Sequence, residues 1–291
     1  MEKICVVRLM RLAAYLGVLV FLVSTRTSFA AGRDECSGGE GHVVKNLQGV
    51  QVEFTPTKDD AFAFGQACSV VVRDSAHKEI FSEIDSGFSV IMTDSDVNGD
   101  GVPDMVLESY SGGAHCCWTY YIISLGANPR LLTKFENERG AAFVRNVKNG
   151  RIDIETQDGD FDYFDGQCHA CTVFPLVYLR LEGTKFVDVG SEHLAAYDEI
   201  IATSQKALSD DKRQHLRSLK GRPTEDRELD DDLVRNALSI VLAYLYSGRE
   251  AEAHQTLGEL WPPSNQERIW NLILENRRNG ILNYTRDKNA A

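Results

Sequence analysis

The chain has 291 residues, 43% of them hydrophobic, with 31 Lys and Arg against 43 Asp and Glu. That is the composition of a folded protein, and it excludes a disordered or fibrous chain. A formal charge of −12 leaves no basic field to hold a phosphate backbone, which sets nucleic acid aside as a partner.

Lys3, Arg8 and Arg11 precede an apolar run over residues 12–23, and Ser28-Phe29-Ala30 ahead of Ala31 has the small-x-small form of a secretory cleavage site. Residues 1–30 are therefore expected to be a signal peptide. The run falls short of the ~20 apolar residues a spanning helix needs, so no membrane span is expected after cleavage. The mature protein is expected to be exported, to a periplasm or beyond the cell. Cys36, Cys68, Cys116, Cys117, Cys168 and Cys171 remain once Cys5 is lost with the signal. An even count in an oxidising compartment points to three disulfides.

From about Val43 to Gly190, short β-branched and aromatic runs alternate with Gly, Asn and Asp. Cys68-Ser69-Val70-Val71-Val72-Arg73, Phe88-Ser89-Val90-Ile91-Met92, Tyr120-Tyr121-Ile122-Ile123-Ser124-Leu125 and Leu176-Val177-Tyr178-Leu179-Arg180-Leu181 all read as strands. Two stretches of this region repeat. Asn98-Gly99-Asp100-Gly101-Val102-Pro103-Asp104 is matched by Asn149-Gly150-Arg151-Ile152-Asp153 at an offset of 49 between the aspartates, and Thr133-Lys134-Phe135 by Thr184-Lys185-Phe186 at 51. A period near fifty is the size of a four-stranded unit.

Between the strands at 88 and 120 lies an acidic loop, Asp96-Val97-Asn98-Gly99-Asp100-Gly101-Val102-Pro103-Asp104. Its oxygen donors fall on alternate positions, so a tight turn can bring Asp96, Asn98 and Asp100 to one point. Gly101 permits the bend, the Val102 carbonyl supplies a further oxygen and Asp104 another. Hard oxygen donors suit Ca²⁺ over thiophilic metals, and the three carboxylates repel one another unless a cation neutralises them. The competing reading is a solvated Asn-Gly and Asp-Gly turn.

Asp96 to Val106, Asp-Val-Asn-Gly-Asp-Gly-Val-Pro-Asp-Met-Val, resembles the signature of FG-GAP/VCBS-type repeats, which form calcium-binding β-propeller blades. The resemblance covers about residues 86–137 well and 141–190 weakly. It implies that Asp96, Asn98, Asp100 and Asp104 ligate one structural calcium, and that the protein serves recognition at the cell exterior. A closed propeller needs at least four blades; two units imply a small sandwich or an open blade pair. Arg151 falls in the middle of the second loop, which implies one ion in place of two.

Ser109 to Tyr121 carries His115, Cys116 and Cys117. Adjacent cysteines on a strand point to opposite faces, and Cys168 and Cys171 would do so too if extended. Two bridges between the repeat halves fit that parity, with Cys36 to Cys68 as the third, although six cysteines allow fifteen connectivities. Zinc held by His115, Cys116, Cys117, Cys168, His169 and Cys171 is an alternative, as is a redox or nucleophilic thiol. Trp118, Tyr120, Tyr121, Phe161, Tyr163 and Phe164 read either as core or as a stacking surface for a sugar or peptide. The acidic run Asp158, Asp160, Asp162 and Asp165 reads as a polar hairpin face, with a cation site as the alternative.

After Gly190 the period changes. Leu194, Tyr197, Ile200 and Ile201 share one helical face, as do Leu233, Ala237, Ile240, Val241, Tyr244 and Leu245. Residues 243–253 resemble the turn of a single tetratricopeptide repeat, with Pro262-Pro263 ending its second helix. One repeat cannot bury a continuous core, so two amphipathic helices packed together or on the β part is the plainer reading.

The expectation is an α+β protein: signal 1–30, a disulfide-stapled β domain 31–190 and a helical domain 191–291. Its function is expected to be non-enzymatic binding or an envelope role with one Ca²⁺, recognising a protein or carbohydrate. The alternative is a secreted hydrolase or thiol enzyme using His115, Cys116 and Cys117. No Gly-x-Ser-x-Gly or His-Glu-x-x-His supports it.

Overall fold

A computed structural model describes Cys36 and residues 42–62, 65–113, 117–137, 144–148 by backbone, 151–225 and 231–285. The signal segment, His115 and Cys116 lie outside the described residues. Among the described residues the strands precede the helices, as the change of period requires, and Gly32–Ala291 forms one compact unit.

Among the described residues the β part is three four-stranded antiparallel meanders in chain order. The first comprises β1 Val43–Leu47, β2 Val50–Lys58, β3 Gln66–Arg73 and β4 Glu79–Asp85. The second comprises β5 Gly87–Ser95, β6 Asp104–Tyr110, β7 Trp118–Ser124 and β8 Arg130–Asn137, and the third β9 Val144–Lys148, β10 Arg151–Gln157, β11 Leu176–Glu182 and β12 Lys185–Asp188. The internal repeat now has a physical meaning. Asp104 and Asp153 sit on the second strands of successive sheets, Phe135 and Phe186 on the fourth, and those two rings meet edge to face at 5.3 Å.

The expectation of two units is corrected to three, because the first meander is a unit of the same kind. Its opening hairpin pairs Leu47 with Val50 across Gln48 (φ 42°) and Gly49 (φ 89°), the doubly left-handed turn whose twist suits two strands.

The middle sheet is buried on both faces, which is why its strands read as unbroken apolar runs. Side chains alternate across a strand. Met105, Leu107, Tyr121 and Ile123 therefore share a cluster with Val52, Phe54, Val70 and Val72 of the first sheet. Val106, Tyr120, Ile122 and Phe135 join the cluster of the third sheet, with Ile154, Val177, Leu179 and Leu181. Tyr120, Tyr121, Phe161 and Phe164 are thus core, while Tyr163 is half exposed.

That second cluster continues into the helices α1 Leu194–Ala207, α2 Asp210–Ser218, α3 Asp231–Tyr246, α4 Glu250–Leu260 and α5 Gln266–Asn279. α3 is apolar on most of its surface, burying Leu233, Val234, Ala237, Leu238, Ile240, Val241, Leu242 and Leu245, because it has neighbours all round. It ends in a Schellman motif. Gly248 is left-handed (φ 83°), its N–H donates to the Leu245 carbonyl, and the Arg249 N–H donates to the Tyr244 carbonyl at 2.9 Å.

The passage from sheet to helix is tight at Gly190. Its missing side chain leaves room for the Tyr246 carbonyl at the end of α3, with the Asp188 carboxylate and Tyr197 hydroxyl close by.

Two disulfides close among the described residues. Cys36 bridges Cys68, as expected, with Cα atoms 5.8 Å apart. Cys168 bridges Cys171, with Cα atoms 5.0 Å apart, which corrects the expected pairing of these cysteines with the first repeat half. Cysteines an odd number of residues apart point to opposite faces only where the chain is extended. His169–Cys171 is a 3-10 turn instead, and it folds Cys171 back onto Cys168.

Candidate metal centre and buried acids

The acidic loop leaves β5 and returns in β6, and it is wound on its own backbone. Asp96 Oδ1 accepts the N–H groups of Gly99 and Asp100 at 2.7 and 3.0 Å, and Oδ2 accepts that of Gly101 at 2.8 Å. Gly99 (φ 78°) and Gly101 (φ 83°) supply the left-handed steps that this winding needs. Asp100 Oδ1 accepts the Val102 N–H at 2.8 Å. The Asn98 amide donates to Asp100 Oδ2 at 3.0 Å and to the Gly183 carbonyl at 3.2 Å, which ties the loop to the β11–β12 turn.

Asp104 lies at the base of the loop, fully buried. Oδ2 accepts the Val97 N–H at 2.7 Å, while Oδ1 is buried with no hydrogen-bond partner. Burial pushes its carboxyl up to about 6, and the charges of Asp100 and Asp96 add to the shift against the pull of the Val97 and Asn98 N–H groups.

The repeat supplies a comparison. Asp153, the counterpart of Asp104, faces Arg180 across the strand, where Asp104 faces Ser124. Arg180 Nε and Nη2 reach the Asp153 carboxylate at 2.7 and 3.0 Å, and His193 Nε2 lies 2.7 Å from Oδ2. The third sheet therefore neutralises its buried aspartate with a guanidinium. The second sheet has no such side chain opposite Asp104.

Asp96, Asn98, Asp100 and Val102 lie in the loop between β5 and β6, and Asp104 opens β6. Among the described residues no three Asp, Glu, His or Cys side chains converge tightly enough to hold an ion by themselves. An ion here would need the mixed oxygen set of carboxylates, the Asn98 amide oxygen and the Val102 carbonyl. That set is hard and anionic, and with the partnerless Asp104 oxygen it fits Ca²⁺. Arg151 sits beside the loop, since a Cβ on Gly99 would stand 3.5 Å from Arg151 Nη2.

Two further aspartates, read from sequence as a polar hairpin face, are instead buried where the β part meets the helices. Asp165 takes two bonds from Arg268, at 2.7 and 2.8 Å, one from Arg222 Nη2 at 2.7 Å and one from the Thr224 hydroxyl at 3.0 Å. Asp158 accepts the Tyr246 hydroxyl at 2.6 Å and the N–H groups of Asp160 and Ile281 at 3.2 Å each. Gly280 makes that approach possible, because any Cβ there would overlap the Asp158 carboxylate. The aromatic residues Phe161 and Phe164 between these acids were the signal of a buried segment, and both rings are core.

Asp158, Asp160, Asp162, Glu136, Asn279 and Tyr284 line a polar cavity of about 430 Å³.

Burial raises the Asp158 carboxyl to about 6, outweighing the hydrogen bonds from Tyr246, Asp160 and Ile281 that favour its charged form. A carboxyl whose folded pKa lies above its unfolded value binds its proton first in the folded state. Asp158 therefore adds stability as pH falls from about 6 toward 4. Urea unfolding of wild type and Asp158→Asn should show the wild type gaining relative to the variant over that window. A gap independent of pH would mean that Asp158 titrates normally.

Compared with protein-family models, with curated proteins and with solved structures, the chain finds no match.

Proposed function

We propose that this is an exported, non-enzymatic binding or envelope protein whose stacked sheets are completed by one structural Ca²⁺. The ion is held by Asp96, Asn98, Asp100, the Val102 carbonyl and Asp104. The observation that carries the reading is the buried Asp104 oxygen without a partner, set against Asp153, which has a guanidinium in the equivalent place. A buried carboxylate oxygen left unsatisfied costs roughly 1–3 kcal/mol, and a divalent cation at the loop removes that cost. The chain's own groups do the remaining work: Asp96 and Asp100 hold the turn through backbone N–H groups, and Asn98 fastens it to Gly183 of the third sheet. The ion would thus brace the second sheet against the third. Two disulfides and an acidic composition suit an oxidising exterior. Among the described residues no helix is long and apolar enough to cross a membrane. The ligand recognised is a protein or carbohydrate, and the polar cavity beside Tyr284 offers it hydroxyl-binding carboxylates and amides.

The test is thermal unfolding of the purified protein in excess EDTA and in Ca²⁺, beside Asp100→Ala. At ten times its Kd the ion should stabilise by about 1.4 kcal/mol, a rise of roughly 3–6 °C for a chain of this size. The variant should not respond. A wild type indifferent to both reagents would reduce the loop to a solvated turn.

A further inference from the structure

We propose that the Cys168–Cys171 bridge is an exchange-competent disulfide that oxidises a dithiol on a partner polypeptide. The inference is independent of the calcium loop, and the exchange it adds to the binding role is stoichiometric, one dithiol oxidised per bridge.

Three observations carry it. The first is access: Cys168 is exposed, on a surface turn, whereas Cys36 and Cys68, the other bridged pair, are both buried. Exposed bridges are the ones that exchange.

The second is that the turn is held without the bridge. The Cys168 carbonyl accepts the Cys171 N–H at 2.9 Å, the Thr172 N–H at 3.1 Å and the Thr172 hydroxyl at 3.1 Å. Arg235 of α3 donates to the Ala170 carbonyl at 3.0 Å, and His169 Nδ1 lies 2.8 Å from Asp162 Oδ1. Opening the bridge therefore demands no refolding. A disulfide across two intervening residues also closes a very short loop, so it restrains the unfolded chain far less than the 32-residue separation of Cys36 and Cys68. Its presence is poorly explained by stability.

The third is Asp231. Its Oδ2 lies 3.1 Å from Cys171 Sγ, a position from which it accepts a hydrogen bond from a thiol. A bridged sulfur has no proton to donate. The contact is thus worth more in the reduced protein, which biases the bridge toward accepting electrons.

The exchange balances as follows. A substrate thiolate attacks Cys168 Sγ, the Cys168–Cys171 bond breaks, and Cys171 leaves as a thiolate that takes up a proton from solvent, its S–H then donating to Asp231. The second substrate thiolate then attacks the substrate sulfur of the mixed disulfide and expels Cys168. The substrate dithiol becomes a disulfide, losing two electrons, and Cys168 and Cys171 become two thiols. The two protons that the substrate thiols give up to solvent are matched by the two that Cys168 and Cys171 take up.

The test begins with the wild-type protein in glutathione redox buffers, with alkylated cysteines assigned by peptide mapping. The 168–171 bridge should open under conditions in which Cys36–Cys68 stays closed, and the oxidised protein should convert one equivalent of a synthetic dithiol peptide to its disulfide. Cys171→Ser, given glutathione disulfide, should accumulate an adduct on Cys168 at least about tenfold faster than Cys168→Ser does on Cys171. Asp231→Ala should make the bridge harder to reduce by about fivefold, the scale of one hydrogen bond, whereas Asp232→Ala, the other acidic residue in the first turn of α3, should leave reduction unchanged. If the 168–171 bridge resists glutathione as firmly as Cys36–Cys68, or opens without oxidising the peptide, the proposal is overturned and the bridge is structural.

Discussion

Gly190→Ala should destabilise the protein by about 3 kcal/mol, the upper end of what one added methyl costs in a packed site. Melting should fall by roughly 6–12 °C. The added Cβ would meet the backbone carbonyl of Tyr246, which cannot swing aside as a flexible side chain would. That carbonyl belongs to the buried end of α3, and α3 is the centre of the helical layer. To make room, either the sheet-to-helix passage or α3 must shift. The backbone conformation of Gly190 is not the obstacle, because its φ lies outside the left-handed range. Gly258, inside α4, is the matched control. A Cβ there meets nothing within 4 Å, and alanine should stabilise by about 0.5–1 kcal/mol through helix propensity. Equal losses at both positions, read by urea unfolding, would refute the steric account of Gly190.

Asp165→Ala should cost about 3 kcal/mol at neutral pH. The carboxylate is the common partner of Arg222, Arg268 and Thr224, which come from segments 57, 103 and 59 residues away in sequence. Removing it strands two guanidiniums beside a cavity, although both are partly exposed and recover some hydration. Asp165 is also left-handed (φ 51°), a conformation that aspartate and asparagine tolerate better than alanine. Asp165→Asn should therefore lose about half as much.

Acid gives an independent reading. Burial pushes the Asp165 carboxyl up, but the bonds from Arg268, Thr224 and Arg222 prevail and hold it below the usual aspartate value. A depressed folded pKa means stability that is present above the unfolded value, near 4, and lost as pH falls through the lower folded value. The gap between wild type and Asp165→Asn should therefore narrow as pH falls from about 5 through the unfolded value near 4 and below it. This is opposite in sign to the trend expected at Asp158. Variants that differ from wild type by a constant at every pH would deny the ion pairs their role.

The order of strands and helices was legible because it follows from period: alternation and short apolar runs before Gly190, a 3.6-residue spacing after it. The repeat was legible because Asp104 and Asp153, and Phe135 and Phe186, fill like positions in successive sheets. The first meander escaped notice since it lacks the acidic loop, although Gln48-Gly49 between alternating valines marks the same hairpin. The acidic loop was legible for the opposite reason, because its oxygen donors are close in sequence. Cys168–Cys171 was misassigned because parity applies only to extended chain, and nothing in the spacing showed that residues 159–171 would be 3-10 turns. The Asp165 and Asp158 contacts were beyond sequence reasoning. Their partners are brought in by packing from the far end of the chain.

The two apolar clusters also differ in how much of the chain must exist before each can close. The cluster between the first two sheets draws only on residues up to Leu125, and one disulfide lies within it. The other begins at Val97 and needs Leu282, almost the last described residue. A polypeptide made from its N-terminus can therefore bury the first while the second is still missing its helices. Until the third sheet arrives, the second face of the middle sheet carries Val106, Tyr120, Ile122 and Phe135 uncovered. A nascent or truncated chain ending before residue 151 is consequently a half-capped stack of sheets, and that is the form most exposed to aggregation or to capture by a chaperone.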